Sequence, residues 1–375
     1  MALIWGDRVL FPRRDMLEEG WIHTDGDRIV AVGRGAAPRK PDFAVVGGSV
    51  LTPGFVDVHA HGGGGASFGT DDPAEVETVL AAHRACGTTT MIASLVTADL
   101  ADLERQLRLL AGFVSTGRLA GVHLEGPWLS PDRCGAHAAD LLREPAPENV
   151  RQLIDAGQGA VRMITLAPEL SGALASIRAA VARGCVVAVG HTNADYDQTK
   201  AAIDAGASGA THLFNAMPPL AHREPGPTLA LWSDPRVWLE LVCDGVHVDL
   251  ALVAHILSTS ANRVVFVTDA MAGAGVGDGD YCLGGLAVEV RGGVARLADG
   301  GAIAGSTLTL DLAVRVAVAA GVRLEDALRA VTENPAAYLR LPDVGRFAPG
   351  CRADAVVLSE DLDVARVLYG GAWLG

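Results

Sequence analysis

The chain has 375 residues, which is enough for a barrel of about 250 residues and a smaller second domain. Half of the residues are hydrophobic and the formal net charge is −14, which argues against nucleic acid or an anionic membrane surface as a partner. No run of about 18 uncharged apolar residues is present, so we expect no transmembrane helix. Six cysteines without a CxxC pair, and a start that turns polar too early for a signal peptide, predict reduced thiols in a cytoplasmic protein.

The two ends of the chain share β character. Residues 1–50 contain short strand patterns and show no helical period. Residues 345–358 return to the same character, and we expect them to rejoin the N-terminal strands. The predicted domains are a small β-sandwich built from residues 1–52 and 343–375, and a central domain of residues 53–342.

The central domain alternates apolar strands with helical stretches. The predicted strands are residues 54–58, 89–95, 121–124, 161–166, 186–189, 209–213, 239–243 and 264–268. Alternation of this kind implies a parallel sheet, and eight units predict an α/β fold with a closed (β/α)8 TIM-type barrel. Glycine pairs within residues 280–303 break the rhythm and predict a hairpin inserted after the eighth strand.

Polar side chains follow the predicted strands at the same end. These residues are His59 and His61 after strand one, Glu125 after strand three, His191 after strand five, His212 at the end of strand six and Asp269 at the end of strand eight. Barrel enzymes build their active sites at the C-terminal ends of their strands, so four histidines and two carboxylates are expected to converge. Residues i and i+2 of a strand share a face, so His59 and His61 should project together.

Imidazoles and carboxylates that converge are typical ligands of a divalent metal, with zinc favoured over iron, cobalt or manganese. A metal at such a site activates water and polarises a carbonyl group. Two ions need a bridging ligand, and because residues 161–168 contain no lysine, Glu125 is the candidate for that role. Asp269 is the expected proton shuttle between the attacking water and a leaving amine.

The remaining polar residues near these motifs have simpler interpretations. His123 shares a strand face with Glu125 and is interpreted as a packing residue behind the ligands. Asp57 precedes His59 on the same face and is also expected to support the site from behind. Three further histidines, His23, His83 and His255, are predicted to be surface or helix residues.

Eight motifs together resemble the amidohydrolase superfamily, and within it the N-acetylglucosamine-6-phosphate deacetylases. They are residues 53–62 (PGFVDVHAHG), 123–127 (HLEGP), 135–137 (GAH), 190–192 (GHT), 212–217 (HLFNAM), 223–226 (REPG), 244–247 (DGVH) and 268–270 (TDA). The first and last motifs are shared widely across the superfamily, whereas HLEGP with GAH, and the NAM stretch, are more specific to the deacetylases. The resemblance implies hydrolysis of an acetamide in amino-sugar metabolism.

The resemblance also implies roles for individual residues. The metal-binding residues would be Glu125, His191 and His212 for a main ion and His59 and His61 for a second one, with Asp269 as ligand and general acid/base. His137 would polarise the acetamide carbonyl. One or two ions per subunit are expected, because some members of the family lack the histidine pair.

The implied substrate is a small sugar phosphate. The residues implied to bind it are Asn215, Ala216, Arg223 and His247 at the phosphate, and Ala136, Asp244, Ile303, Ala304 and Gly305 around the sugar. Arg223 lies eleven residues beyond His212 in a long loop, which suggests that it reaches the site of a partner subunit in a homodimer.

Three alternatives stay open at this point. One is a deacetylase for the galactose epimer of the sugar, and another is a cyclic-amide hydrolase, although those enzymes usually need the strand-four lysine. The third is a scaffold protein that binds no metal. Cys134 lies beside His137, and its role is open as well, with a bystander thiol slightly favoured.

Overall fold

The computed structural model describes residues 1–12 and 16–374, and its first strands form the small β unit. These strands are β1 (Ala2–Val9), β2 (Glu18–Asp25), β3 (Arg28–Arg34), β4 (Phe43–Val45) and β5 (Val50–Pro53). Strand β1 is central, because it pairs antiparallel with β2 and parallel with β4 and β5.

A parallel barrel sheet follows directly. The next strands are β6 (Phe55–Asp57), β7 (Gly62–Gly63), β8 (Ala66–Ser67), β9 (Thr88–Leu95), β10 (Gly121–Glu125), β11 (Val161–Leu166), β12 (Val186–Val189), β13 (Gly209–Ala210), β14 (Trp238–Leu241) and β15 (Val264–Phe266). Apart from the small hairpin β7–β8, these eight strands are hydrogen-bonded side by side in chain order. A bridge between Ala60 and Ala270, and a hydrogen bond of 2.8 Å from the Asp269 N–H to the His59 carbonyl, join the last strand to the first. The predicted (β/α)8 barrel is therefore confirmed.

Helices surround the barrel. They are α1 (Pro73–Ala85), α2 (Leu100–Ser115), α3 (Pro147–Ala156), α4 (Ala173–Val181), α5 (Tyr196–Asp204), α6 (Gly226–Ser233), α7 (Leu250–Ser260), α8 (Leu310–Ala319), α9 (Leu324–Ala330) and α10 (Glu333–Tyr338), with 3-10 turns at Pro131–Arg133 and Ala139–Leu141. Local sequence sets their starts: the Asp72 carboxylate accepts the Ala74 N–H, and Asp195 and Gln198 cap each other. Helix α10 is a finding beyond the sequence pattern. No helix in the described ranges is long and apolar enough to cross a membrane.

An insert of short antiparallel strands follows β15, as predicted, but it has three strands rather than the two of a single hairpin. They are β16 (Gly279–Leu283), β17 (Leu286–Arg291) and β18 (Val294–Leu297), all antiparallel. The chain reverses at both glycine pairs, 284–285 and 292–293, rather than at one. The apolar face of the insert buries Val288 and Val290 against Met271 and Ala136, which places it over the C-terminal end of the barrel.

The tail returns to the first sheet, as predicted. Its strands are β19 (Ala355–Leu358), β20 (Val364–Tyr369) and β21 (Ala372–Trp373). Strand β19 pairs antiparallel with β5, so both chain ends build one sheet of eight strands with its own apolar core around Ile4, Phe347 and Val357. The sheet assignment changes between Pro53 and Phe55; the exact domain bounds stay a prediction.

Candidate metal centre and active site

A cavity of about 360 Å³ opens at the C-terminal end of the barrel strands. The predicted site residues that line it are His61, Glu125, Ala136, His137, His191, His212, Asn215, Ala216, His247, Asp269, Ile303 and Gly305. His59 lies behind His61 and is fully buried. The convergence predicted from the strand ends is therefore present in the structure.

Three of these cavity-lining residues have an unusual backbone conformation. His191, His212 and Asp269 have φ angles of 46°, 28° and 49°, in the left-handed region that residues other than glycine rarely adopt. The bends also end strands six and eight earlier than predicted, at Ala210 and Phe266. Left-handed residues cost about 1–3 kcal/mol each and persist where the surrounding structure holds them, often at functional sites.

The first group of converging side chains, here called the His59 cluster, consists of His59, His61, Glu125 and Asp269. Glu125 Oε2 lies 3.0 Å from His61 Nε2 and 3.4 Å from His59 Nε2. Asp269 Oδ1 lies 3.3 Å and 3.5 Å from the same two nitrogens. All of the ligand atoms fall within 4.8 Å of one another, a spacing that suits one cation.

The second group, the His191 cluster, consists of Glu125, His191 and His212. Here it is the other carboxylate oxygen, Oε1, that lies 3.2 Å from His191 Nε2 and 3.1 Å from His212 Nε2. The two imidazole nitrogens are 3.0 Å apart. Glu125 thus presents one oxygen to each cluster, which is the arrangement expected of a bridging carboxylate.

Contacts on the far side of the rings fix which nitrogen faces the clusters. His61 Nδ1 lies 3.2 Å from the Ser94 carbonyl oxygen, and His191 Nδ1 lies 2.9 Å from the Arg133 carbonyl oxygen. A carbonyl oxygen only accepts hydrogen bonds, so both rings carry their proton on Nδ1 and turn the lone pair of Nε2 inward. His59 Nδ1 faces the Glu240 carboxylate at 3.2 Å. The donor set therefore fits a divalent metal, whose histidine ligands normally donate their second N–H in this way.

Electrostatics favour a cation at the same place. Burial alone would raise the pKa of Glu125, but the facing imidazoles, above all His59, hold it well below its usual range. The pKa of Asp269 is lowered against the effect of burial by His59 and His61. Conversely, burial alone would lower the pKa of His59, but Glu125 and Asp269 raise it well above its usual value. The carboxylates stabilise positive charge between them, which a divalent ion would supply.

His137 is held as a neutral hydrogen-bond donor. Its Nδ1 accepts the Thr97 backbone N–H at 3.3 Å and lies 2.9 Å from the Thr97 hydroxyl oxygen. Because a backbone N–H only donates, the proton of this ring is on Nε2, which points into the cavity 3.6 Å from Glu125 Oε2. Burial lowers the pKa of His137 to about 4, so the ring is uncharged near neutral pH.

His247, which lines the cavity, forms a pair with Asp244. His247 Nδ1 lies 2.6 Å from Asp244 Oδ2, and although burial opposes it, Asp244 raises the pKa of His247. Asp244 itself does not line the cavity and acts through this ring. Ala304 is buried behind the wall, and Arg223 is exposed and does not line the cavity of its own chain.

Other histidines and acids stand outside both clusters. His123 bonds Ser94 Oγ and Thr165 Oγ1 with its two ring nitrogens, and Asp57 accepts the Thr268 hydroxyl at 2.6 Å, both as support residues. His83 stands on helix α1, in agreement with the prediction of a surface or helix position, and it is buried, with Nε2 2.9 Å from the Gly62 carbonyl oxygen. The helix packs this face against the chain that leaves His61.

Sequence reasoning missed several residues of the site. The structure adds Val96, Asp132, Arg133, Leu283 and Ala302 to the cavity wall, and Ser94, Thr97 and Glu240 behind the rings. A signal existed for Glu240, the one carboxylate in the apolar strand β14. Cys134 is half-buried in the loop that carries Arg133 and His137.

Comparison with known proteins gives consistent matches over most of the chain. The sequence model of the Amidohydrolase family matches residues 50–374. N-acetylgalactosamine-6-phosphate deacetylase of Escherichia coli O157:H7 is 39% identical and the match covers 97% of this chain and 98% of the relative. N-acetylglucosamine-6-phosphate deacetylase of Vibrio furnissii is 33% identical, with 89% and 85% covered. The structure of a mutant of N-acetyl-D-glucosamine-6-phosphate deacetylase from Mycobacterium smegmatis in complex with N-acetyl-D-glucosamine-6-phosphate superposes with a TM-score of 0.96 at 49% identity, covering 99% and 98% of the two chains.

Proposed function

This chain belongs to the amidohydrolase family, and on that premise we propose that it hydrolyses the acetamide of N-acetylglucosamine 6-phosphate to glucosamine 6-phosphate and acetate. One observation carries the proposal: Glu125 faces a separate ligand cluster with each oxygen, beside Asp269 and the donor nitrogen of His137. This combination provides water activation, proton transfer and carbonyl polarisation in one cavity.

A divalent metal is supported by both clusters, and we propose zinc, because imidazole and carboxylate ligands suit it, with iron, cobalt or manganese as alternatives. Glu125, His191 and His212 would hold the main ion, and His59 and His61, with Glu125 and Asp269, a second one. A bound divalent ion lowers the pKa of a coordinated water to about 7 and polarises a carbonyl group.

Asp269 is the proposed general acid/base. Its carboxylate is ionised in its surroundings, so it can accept the proton of the attacking water. The water oxygen bonds to the carbonyl carbon, the C–N bond breaks, and Asp269 passes the proton to the leaving amine. Asp269 thus begins and ends the cycle ionised.

His137 would stabilise the negative charge that develops on the carbonyl oxygen. Thr97 holds the ring so that Nε2–H points into the cavity, and the ring is neutral. A preorganised donor of this kind at an oxyanion is worth about 10²–10³ in kcat.

The phosphate group would bind at the other end of the cavity. Asp244 raises the pKa of His247 against the effect of burial, so His247 would supply positive charge to the phosphate. Asn215 and Ala216 line the adjacent wall. Arg223 would complete the site from a partner subunit, which makes a homodimer part of the proposal. Its exposed position, away from its own cavity, is compatible with this. Ala136, Ile303, Ala304 and Gly305 would surround the sugar ring.

A second candidate substrate is N-acetylgalactosamine 6-phosphate. It is favoured by the relative that is 39% identical over nearly the full length and acts on that epimer. The glucose epimer is preferred because the Mycobacterium smegmatis protein is more similar, at 49% identity. A cyclic-amide hydrolase is disfavoured because strand β11, Val161–Leu166, has no lysine.

An assay for acetate release tests the proposal. The panel contains both N-acetylhexosamines with and without 6-phosphate, and a cyclic amide, with Asp269→Asn as the inactive control. We expect the highest kcat/KM for N-acetylglucosamine 6-phosphate, and loss of activity after chelation that zinc restores. Preference for the galactose epimer would select the second candidate, and absence of acetate release from every sugar would contradict the proposal.

A cytoplasmic location is proposed as well. All six cysteines are free in the structure, as expected of a reducing compartment.

A further inference from the structure

Glu240 is a buried carboxylate that the cavity does not reach. It lies on strand β14 between Leu239 and Leu241, and its exposed fraction is 0%. An ionised carboxylate in such surroundings is costly unless positive charge or hydrogen bonds stabilise it. Within residues 1–12 and 16–374, no lysine or arginine side chain forms an ion pair with Glu240.

Two buried side chains contact this carboxylate instead. Glu240 Oε2 lies 3.2 Å from His59 Nδ1, and Oε1 accepts a hydrogen bond of 3.0 Å from the Tyr338 hydroxyl. Tyr338 comes from helix α10, outside the barrel, and its ring packs 5.9 Å from that of Trp238. The three groups form a chain from α10 through β14 to His59.

The contact with Glu240 distinguishes His59 from His61 and His191. His61 and His191 donate Nδ1–H to neutral carbonyl oxygens, whereas His59 faces a carboxylate. A carboxylate that accepts Nδ1–H orients the imidazole, fixes its tautomer and makes Nε2 a stronger metal ligand. We propose that Glu240, held by Tyr338, is the positioning residue that determines whether the His59 cluster binds a metal ion.

This inference rests on the second ion of the proposed function. It adds that metal binding at the His59 cluster depends on Glu240, which contacts the outer nitrogen of the His59 ring and would touch neither the ion nor the substrate. Gly209 is part of the arrangement, because a side chain there would collide with the Tyr338 hydroxyl. The His191 cluster has no contact with Glu240 and should be independent of it.

Metal titration of the full-length apo-protein tests the inference. Wild type, Glu240→Gln and Tyr338→Phe are titrated with Zn²⁺ by calorimetry, and metal content is measured after dialysis. Glu240→Gln should bind the first equivalent as wild type does and the second about 10–100-fold more weakly. Glu169→Gln is the matched control, because that carboxylate contacts Thr192 and Asn193 but not His59, and it should leave the second affinity unchanged.

The outcomes separate this inference from the proposal beneath it. If wild type and Glu240→Gln bind two equivalents with equal affinities, the inference is overturned while the second ion stands. If wild type binds only one equivalent, the second ion and the inference both fail. If Glu240→Gln does not fold, as judged by circular dichroism, Tyr338→Phe decides: it should weaken the second equivalent about fivefold, and an unchanged affinity overturns the inference.

Discussion

The His59 cluster and the His191 cluster share Glu125 but are built in different ways. His59 and His61 follow a strand directly, and their outer nitrogens face groups of the barrel itself, Glu240 and the Ser94 carbonyl. His191 and His212 lie in loops, and their own backbones are in the left-handed conformation. The outer nitrogen of His191 bonds the Arg133 carbonyl, and that of His212 is buried without a hydrogen-bond partner among the described residues.

The difference assigns separate tasks to the two clusters. The two histidines of the His59 cluster are held from behind by groups on the barrel strands. The His191 cluster is coupled to the loop that carries Arg133 and His137, because His191 bonds this loop through its ring and through its carbonyl oxygen, which accepts the Ser130 N–H at 2.9 Å. Closure of that loop over a substrate would therefore act on the His191 cluster first.

The largest effect is expected for Asp269→Asn. Asp269 belongs to the His59 cluster by distance, and proton transfer is proposed for it in addition to metal binding. Loss of proton transfer should lower kcat by at least about 10²–10⁴-fold, while the fold and the ion held by Glu125, His191 and His212 are retained. Steady-state kinetics with metal analysis checks this, and a variant with near-wild-type turnover would contradict the assigned role.

Arg223→Ala extends the comparison to the loop after His212. A charge-assisted contact contributes about 1.5–3 kcal/mol, so KM for the phosphorylated sugar should rise roughly tenfold to a hundredfold. KM for unphosphorylated N-acetylglucosamine should change little. Equal changes for both sugars would show that Arg223 does not bind the phosphate.

Mixing variants tests whether Arg223 acts across the subunit interface. An Arg223→Ala subunit is combined with an Asp269→Asn subunit. If the arginine acts in trans, one site of the mixed dimer has both groups intact and activity reappears. If it acts within its own chain, every site remains damaged and mixing restores nothing.

Thr97→Val should have a smaller effect. The substitution removes the hydroxyl beside His137 Nδ1 and leaves the backbone N–H in place. A single hydrogen bond contributes about 1 kcal/mol, so kcat should fall about fivefold with little change in KM or metal content. An unchanged kcat would mean that the backbone contact alone holds the ring.

Cys134→Ser is expected to have the smallest effect. The thiol lies in the loop coupled to His191, but as a bystander its replacement should change kcat/KM by no more than about twofold, in line with changes within ±0.5 kcal/mol at sites without a special contact. Cys282→Ser, an exposed thiol of the insert, is the matched control. A large loss for Cys134→Ser alone would assign the thiol a role in loop closure.

Local patterns predicted the barrel and most of the side chains that converge at its C-terminal end. Parallel strands bring their C-terminal ends together, so His59, Glu125 and Asp269 could be expected to meet once each was placed at a strand end. The bends at His191 and His212 could not be predicted, because tertiary packing rather than local preference holds residues in left-handed backbone.

Contacts between distant segments were beyond the sequence as well. Glu240 is 181 residues from His59 along the chain, and nothing in the apolar strand β14 indicates which ring it faces. The same holds for Thr97 and Ser94. Their contacts with His137 and His61 depend on how distant segments are placed in the fold, which the local sequence does not show. The burial of His83 also depends on a distant contact, because its ring on helix α1 hydrogen-bonds the Gly62 carbonyl oxygen.

Metal analysis of the double variant His59→Gln/His61→Asn tests the central claim most directly, that Glu125 joins two separable metal positions. The variant is loaded with zinc, dialysed and measured beside the wild type. We predict that the wild type retains two equivalents and the variant one, bound by Glu125, His191 and His212. Loss of all metal from the variant would contradict the account, because His59 and His61 would then belong to a single site with the other ligands.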